Sequence, residues 1–525
     1  MNKQITLITV GILLLGTLHN TLNAQLSTRE VDRLVEDAME KFTVAGVAVG
    51  IVKDGEIIHA RGYGLKSVDT KERVDQHTSF AIASNSKAFT SAALAILVEE
   101  GKLSWNDRVV EHIPEFKMYN DYVTHNFNIL DLLTHRSGLG LGAGDLQFWP
   151  SGSDFTMEEL LTNFQYFEPV SAFRTKYDYD NILYLVAGEV IKRVSGKSWE
   201  TFVQERILEP LNMDNSSTMP ASKSGLENLA SPHLAEEGVL KTIPWFEHDP
   251  ERINGALGAV LSNADDMCRW MLAHLNGGKY GETLENQLFT AASQQEMWRI
   301  HTTINVKPDS RYNPHFSGYG LGWRLSDMNG KMSVSHTGDL SGMLSKTIMI
   351  PDLELGVVVL TNSYYGGAGV FRAISQTIVD SYLGMEPFDW TSYHLERHKK
   401  RTGHANQVVE RVWETVETGN HDHIDIDNYL GVYEDPWFGK ADVWLKEGQP
   451  WFTSRRSPKL SGPMYHYKAN AFAIKWDIRE LDADAFALFS LDEEGKAMQI
   501  TMKGISPDID FSFDFHDLLF KRVAD

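Results

Sequence analysis

The chain has 525 residues, of which 42% are hydrophobic and 11% aromatic, so it is too long for one ordinary domain and can bury sizeable cores. A net charge of -22 and a pI near 5.3 argue against nucleic acid and anionic lipid as partners, since either would be approached against long-range repulsion. The only cysteine, Cys268, excludes an intrachain disulfide and reads as a buried packing thiol within Met267-Cys268-Arg269-Trp270-Met271.

Residues 1–24 have the pattern of a secretory signal, with Lys3 as the positive end, Leu7 to Leu18 as the apolar core and Leu22-Asn23-Ala24 before a cleavage point at Gln25. The apolar run is shorter than the ~20 residues a span needs, so no stable membrane span is expected after cleavage. The mature protein is expected in a bacterial periplasm or outside the cell. Gly46 to Val52 and Glu56 to Gly62 flank Asp54-Gly55 and predict a β-hairpin.

Ser84 and Lys87 then stand three apart at the head of a run from Lys87 to Glu100 that favours helix and is apolar on nearly every side. That spacing brings the lysine amine one turn from the serine hydroxyl. A serine becomes a nucleophile when something takes its proton, and a lysine whose pKa burial has lowered by about 3 units can do so near neutral pH. The helix N-terminus also offers backbone N–H groups to a developing oxyanion.

From about Asn106 to Asn276 the sequence is mostly helical and irregular, broken by Pro114, Pro150, Pro169, Pro210, Pro220, Pro232 and Pro244. Within it Tyr177-Asp178-Tyr179-Asp180-Asn181 leads into the helical run Leu183 to Val194, a junction able to aim a phenol and an amide into one pocket. Short runs at Tyr319 to Arg324, Met332 to His336, Leu344 to Ile350 and Leu355 to Thr361 predict strands, and Ala368 to Leu383 a closing helix. Ser335-His336-Thr337-Gly338-Asp339 lies on the second of these strands and suits a substrate-binding edge. Strands at both ends with helices between predict an antiparallel sheet flanked by helices, a helical lobe inserted as a second layer, and a cleft between them.

The ordered set Ser-x-x-Lys, Tyr-x-Asn and His-x-Gly resembles the serine beta-lactamase and penicillin-binding-protein superfamily. Within it the chain is most similar to the class C-like group of family VIII esterases, D-aminopeptidases and CubicO-type hydrolases. The likeness covers roughly residues 29–385 and includes Leu132 to Leu139, Leu261 to Met267 and Tyr319 to Trp323, which read as scaffold; His135 reads as a structural hydrogen-bonding residue. The resemblance implies an α+β fold, Ser84 as the acylated nucleophile, and Lys87 and Tyr179 as the proton-handling pair, with the formal base left open between them. It implies substrate binding by Asn181, His336 and Gly338, and an oxyanion hole from the backbone N–H groups of Ser84 and Asp339. No metal or cofactor is expected. Penicillin-handling members carry lysine where this chain has His336. The smaller fixed charge of a histidine, with the negative charge of Asp339 beside the hole, favours ester, amide or small-peptide substrates. Beta-lactamase or D,D-peptidase activity on peptidoglycan is an alternative, as is a penicillin-recognising sensor that does not turn over.

Residues 386–424 read as a linker helix, centred on Trp390 to Thr418; His421-Asp422-His423 within it reads as solvated linker rather than a metal site. Residues 425–525 carry recurring short strand-like runs: Ala441 to Leu445, Phe472 to Trp476, Ala485 to Leu491, Ala497 to Met502, Asp510 to Phe515 and Leu518 to Arg522. These predict a small all-β barrel or sandwich, and Tyr429 to Glu434 resembles the opening of the lipocalin-like domain fused behind such hydrolases. The resemblance implies that this domain caps the cleft or builds a homo-oligomer; residues 29–385, which hold their own sheet, helices and site, are expected to form a hydrolase unit complete without it. The expected partners are a small-molecule or short-peptide substrate.

Overall fold

The computed structural model describes residues 25–218, 228–236, 238–249, 251–306, 311–419 and 424–523. The signal segment, Pro220 and His421-Asp422-His423 lie outside the described residues. After helix α1 (Thr28–Phe42), the predicted hairpin forms as β1 (Gly46–Lys53) and β2 (Glu56–Gly64). The buried helix is α2 (Ser86–Glu99), in which every residue from Ser86 to Leu97 is buried. The middle lobe holds short helices and the longer α3 (Ile182–Ser195) and α4 (Ala264–Leu275), together with a few short strands that the sequence reading did not expect.

The late strands are β3 (Thr302–Thr303), β4 (Ser317–Tyr319), β5 (Arg324–Met328), β6 (Lys331–Leu340), β7 (Met343–Ile350) and β8 (Leu355–Thr361). They complete one antiparallel sheet in the order β3-β4-β5-β6-β7-β8-β1-β2, so both ends of the hydrolase segment meet where β8 pairs with β1. Both strands are almost wholly buried and read as continuous apolar runs because both faces of the sheet are covered. Helix α5 (Tyr364–Leu383) and α1 cover one face. On the other, α4 packs Met271 and the buried Cys268 against the sheet, with the α2 core beyond. One expectation fails here. Tyr319 to Arg324 is not one strand: Tyr319 ends β4 and Arg324 begins β5, and between them the chain turns at Gly322 with φ +76°.

Helix α6 (Trp390–Thr418) follows, and it is more than a solvated connector. Its first turns bury Trp390 against the sheet-covering helices, and Val412 with the partly buried Trp413 packs on Ala473 and Ile505 of the C-terminal domain. That domain is a closed antiparallel barrel of eight strands in chain order: β9 (Gly431–Asp435), β10 (Gly439–Lys446), β11 (Gln449–Ser454), β12 (Ser461–Lys468), β13 (Ala471–Ile474), β14 (Ala485–Leu491), β15 (Ala497–Gly504) and β16 (Leu519–Arg522). Closure pairs β16 with β9 and leaves no free edge. The fold is therefore α+β with a separate C-terminal barrel. Asp510 to Phe515, expected as a strand, is instead a loop between β15 and β16.

The barrel does not hang free. One buried apolar cluster runs from α2 through the middle lobe into the barrel interior. Phe155 meets Phe438 with ring centroids 5.9 Å apart, and Phe167 meets Trp437 at 4.9 Å. Arg456 of the barrel pairs with Asp154 and Glu159 of the middle lobe. The expectation of a hydrolase unit complete without the barrel is thus corrected: the interface is a continuation of the core. Trp437→Ala should destabilise the whole chain by about 3–5 kcal/mol, read from denaturant unfolding followed by tryptophan fluorescence. An unchanged midpoint would mean that this contact carries no load.

Candidate active site

The turn into α2 is sharp. Ala83 takes a left-handed φ of +47°, uncommon for alanine, inside the short 3-10 turn Ala83–Asn85, and Ser84 follows it half-buried at the cavity wall. One turn on, the Lys87 side chain is fully buried. Its Nζ lies 3.0 Å from Ser84 Oγ, 2.8 Å from Asn181 Oδ1 and 3.0 Å from the Leu257 carbonyl. The orientation of the Asn181 amide is fixed from its other end, where Nδ2 donates to Asp145 Oδ2 at 2.7 Å. Burial lowers the Lys87 pKa to about 7; Asp145 and Asp180 oppose the shift, and Arg324 adds to it.

Tyr179 sits in the extended segment just before α3, its ring 5.0 Å from Lys87 Nζ. Burial pushes its phenol well above the usual range, with the nearby Ser84 hydroxyl and Arg324 offsetting part of the rise. His135 accepts the Asp180 backbone N–H at Nδ1 (3.0 Å), and its ring lies 4.2 Å from that of Tyr179. It braces the segment that carries Tyr179, the structural part expected of it.

His336 is 2% exposed. Its Nδ1 can only donate to the Thr337 carbonyl at 2.7 Å, so in the neutral ring Nε2 accepts the Tyr319 hydroxyl at 2.8 Å. Burial, with Arg324 and Lys87 nearby, holds it well below its ordinary pKa. Both nitrogens are thus occupied and the ring is neutral. The small fixed charge expected of His336 is thus found, and positive charge reaches the pocket from Arg324, paired across the strands with Ser335. Its guanidinium stands 5.4, 5.7 and 5.8 Å from the ring centroids of Tyr177, Tyr179 and Tyr319, and no ion pair to it is found among the described residues.

Strand β6 passes directly over the Ser84 turn. A Cβ on Gly338 would lie 2.0 Å from the Ile82 carbonyl oxygen, so only glycine fits. Ser345 of β7 fastens the same turn, donating to the Ile82 carbonyl at 2.7 Å and accepting from Asn85 Nδ2 at 2.7 Å. Asp339 follows, exposed to solvent and lining the cavity beside Asp510. All seven residues singled out from the sequence therefore border or support one cavity of about 910 Å³. Its walls combine aromatic side chains (Phe148, Trp149, Phe155, Phe246) with polar ones (Asp339, Tyr364, Arg372, Asp510).

The family described as Beta-lactamase matches residues 31–378, and a domain of unknown function, DUF3471, matches residues 417–522. The chain belongs to the beta-lactamase family. Among curated proteins it is similar to the Unguisins hydrolase ungD' of Aspergillus campestris, 26% identical over 443 residues that cover 81% of this chain and 79% of that protein. Among solved structures it resembles the octameric penicillin-binding protein homologue from Pyrococcus abyssi, with TM-score 0.58 and 19% identity over 94% of this chain and 100% of that one. It also resembles the penicillin binding protein from Bacillus halodurans, with TM-score 0.52 and 23% identity over 65% of this chain and 98% of that one.

Sequence reasoning in this beta-lactamase-family chain missed three contributors. Arg324 directly follows the Tyr319 to Trp323 segment read as scaffold, and Asp145 lies in the irregular middle lobe. The third is the barrel loop, whose Phe511 meets the Tyr179 ring edge-on at 5.9 Å and whose Ser512 donates to Asp145 Oδ2 at 2.8 Å. Gly338→Ala should lower stability by about 1–3 kcal/mol, as overpacking does, by forcing β6 off the Ile82 carbonyl. A melting temperature equal to wild type would contradict the close approach.

Proposed function

We propose that the protein is an exported serine hydrolase that works through an acyl-enzyme on ester, amide or small-peptide bonds, with Ser84 as nucleophile and Lys87 as the base. The reading rests on the hydrogen count at Lys87 Nζ. A neutral amine has two hydrogens and one lone pair. Two of its three neighbours, the Leu257 carbonyl and Asn181 Oδ1, can only accept. They take both hydrogens, and the lone pair is left for the hydroxyl proton of Ser84, 3.0 Å away. With its pKa lowered to about 7, a substantial share of Lys87 is in this state near neutral pH.

In the proposed cycle Ser84 Oγ bonds to the substrate carbonyl carbon as its proton passes to Lys87. The oxyanion is held by the backbone N–H groups of Ser84 and Asp339. Tyr179, a neutral phenol because burial raises its pKa, hands a proton to the departing alcohol or amine and recovers one from Lys87. Water then attacks the acyl-enzyme by the reverse route, releasing the acid and restoring Ser84. Asn181 holds Lys87, His336 orients Tyr319 beneath the site, and Gly338 lets β6 approach. No metal or cofactor enters this scheme. A cavity of about 910 Å³, near the top of the ~300–1,000 Å³ range of ligand pockets, favours peptide-sized over acetyl-sized substrates. A relative named as a hydrolase of unguisins points the same way, as does the class C-like motif set with its esterases and aminopeptidases. The octameric relative supports testing for a homo-oligomer.

A fluorophosphonate probe should label Ser84, and Ser84→Ala should leave a folded, unlabelled protein with turnover down by about 10^6. The labelling rate of wild type should rise with pH through about 7, as Lys87 loses its proton. Labelling at another serine would overturn the assignment, and a burst of product without turnover would favour the sensor.

A second reading, favoured by Arg324, which has no ion pair among the described residues, is that substrates carry a carboxylate, as a peptide C-terminus or a β-lactam does. Arg324→Leu should then raise KM for nitrocefin while sparing a neutral p-nitrophenyl ester; equal effects on both would remove Arg324 from carboxylate binding.

A further inference from the structure

The C-terminal barrel matches a domain of unknown function, and one of its loops is wired to the catalytic lysine. Ser512 Oγ donates to Asp145 Oδ2 at 2.8 Å; Asn181 Nδ2 donates to the same oxygen at 2.7 Å; Asn181 Oδ1 lies 2.8 Å from Lys87 Nζ, which stands 3.0 Å from Ser84 Oγ. All four residues behind Ser84 in this chain of contacts are buried. The loop is held from the other side as well, since Asp514 accepts the backbone N–H groups of Gly144 and Leu146 at 2.6 and 3.2 Å, on either side of Asp145.

We infer that the barrel completes the active site, with Ser512 and Asp145 acting as positioning residues that hold Asn181 and, through it, set the place of the Lys87 amine. This deepens the proposed hydrolase reading and rests on it. The physical argument is that Asn181 can hold Lys87 only while its own amide is fixed. Fixing it requires an acceptor whose position is itself determined. Asp145 Oδ1 has no hydrogen-bond partner among the described residues, so Oδ2 and its two donors carry the whole task of orienting the carboxyl. Removing the Ser512 hydroxyl leaves that group free to turn.

The electrostatic surroundings give the test a sign. Lys87 faces Asp145 and Asp180 on the anionic side and Arg324 on the cationic side, with Tyr179 and Tyr184 packed on it and His135 and His336 close by as neutral rings. Asp145 in turn faces Lys87, Asp180 and Asp514. Burial raises the Asp145 pKa well above the usual carboxylate range, and the hydrogen bonds from Asn181 and Ser512 offset part of that rise; to the extent that they keep Asp145 ionised, it favours the protonated lysine. Loss of that bond therefore moves the Lys87 titration to lower pH.

The experiment is steady-state hydrolysis of a p-nitrophenyl ester by full-length wild type, Ser512→Ala, Ser512→Thr and the isosteric Asp145→Asn, with pH profiles of kcat/KM and thermal melts. Ser512→Ala and Asp145→Asn should each lose about 10- to 100-fold in kcat with little change in KM, and move the rising limb of the profile to lower pH. Ser512→Thr, which keeps the hydroxyl, should recover most of the loss. Wild-type kcat and an unmoved limb in Ser512→Ala would overturn the proposal, and so would a loss of kcat with the limb unmoved, since packing alone would produce it. If Ser512→Ala fails to fold, the isosteric Asp145→Asn decides by the same criteria. Failure of fluorophosphonate to label Ser84 in wild type would instead sink the hydrolase reading itself.

Discussion

A lysine amine buried with no carboxylate in contact among the described residues is the constraint around which this molecule is arranged. Removing a charged ammonium from water costs several kcal/mol, so the group either finds a counter-ion or gives up its proton. Here burial lowers its pKa to about 7, and the three atoms around Nζ come from the Ser84 turn, the N-terminus of α3 and the loop at Leu257. The buried helix α2, the close pass of β6 at Gly338 and the Ser345 clasp on Ile82 all serve that placement.

The neighbouring charges follow from the same constraint. Asp180 is buried, accepts only the Ser137 hydroxyl among the described residues, and has its pKa pushed up to about 8 by that burial. Arg324 stands among three tyrosines whose phenols are too deeply buried to ionise readily. The site is thus a set of polar groups each held near or beyond the edge of ionisation, with the net balance set by a few charges. In a medium of low effective dielectric, such charges act at longer range than they would at the surface.

The parts of this arrangement that were legible in the sequence were the local ones. The three-residue spacing put Ser84 and Lys87 on one helical face, and the apolar runs of β7 and β8 and the helix Trp390–Thr418 were read at nearly their true positions. Tyr319 to Arg324 was misread because its apolar residues look like a strand while Gly322 breaks it with a left-handed turn. Asp510 to Phe515 was misread because it alternates polar and aromatic residues with the period of a strand. In the fold both sets are used: Phe513 and Phe515 are buried in the core, and Ser512 and Asp514 are buried against the middle lobe by hydrogen bonds to Asp145, Gly144 and Leu146. Contacts made across more than three hundred residues leave no spacing to read. The same distance hid Asp145 and Ser512, and Arg324 meets Tyr177 and Tyr179 from a separate strand; none of the three belongs to a motif.

The central claim is that Lys87 is the group that gains and loses a proton near neutrality, and it can be tested directly by 15N NMR of lysine-labelled protein, with Lys87→Arg used to assign the resonance. The account predicts a Lys87 Nζ signal that titrates with a midpoint near pH 7 and is lost in the Lys87→Arg spectrum. A Lys87 amine that stays charged until about pH 10.4, the ordinary lysine value, would contradict it.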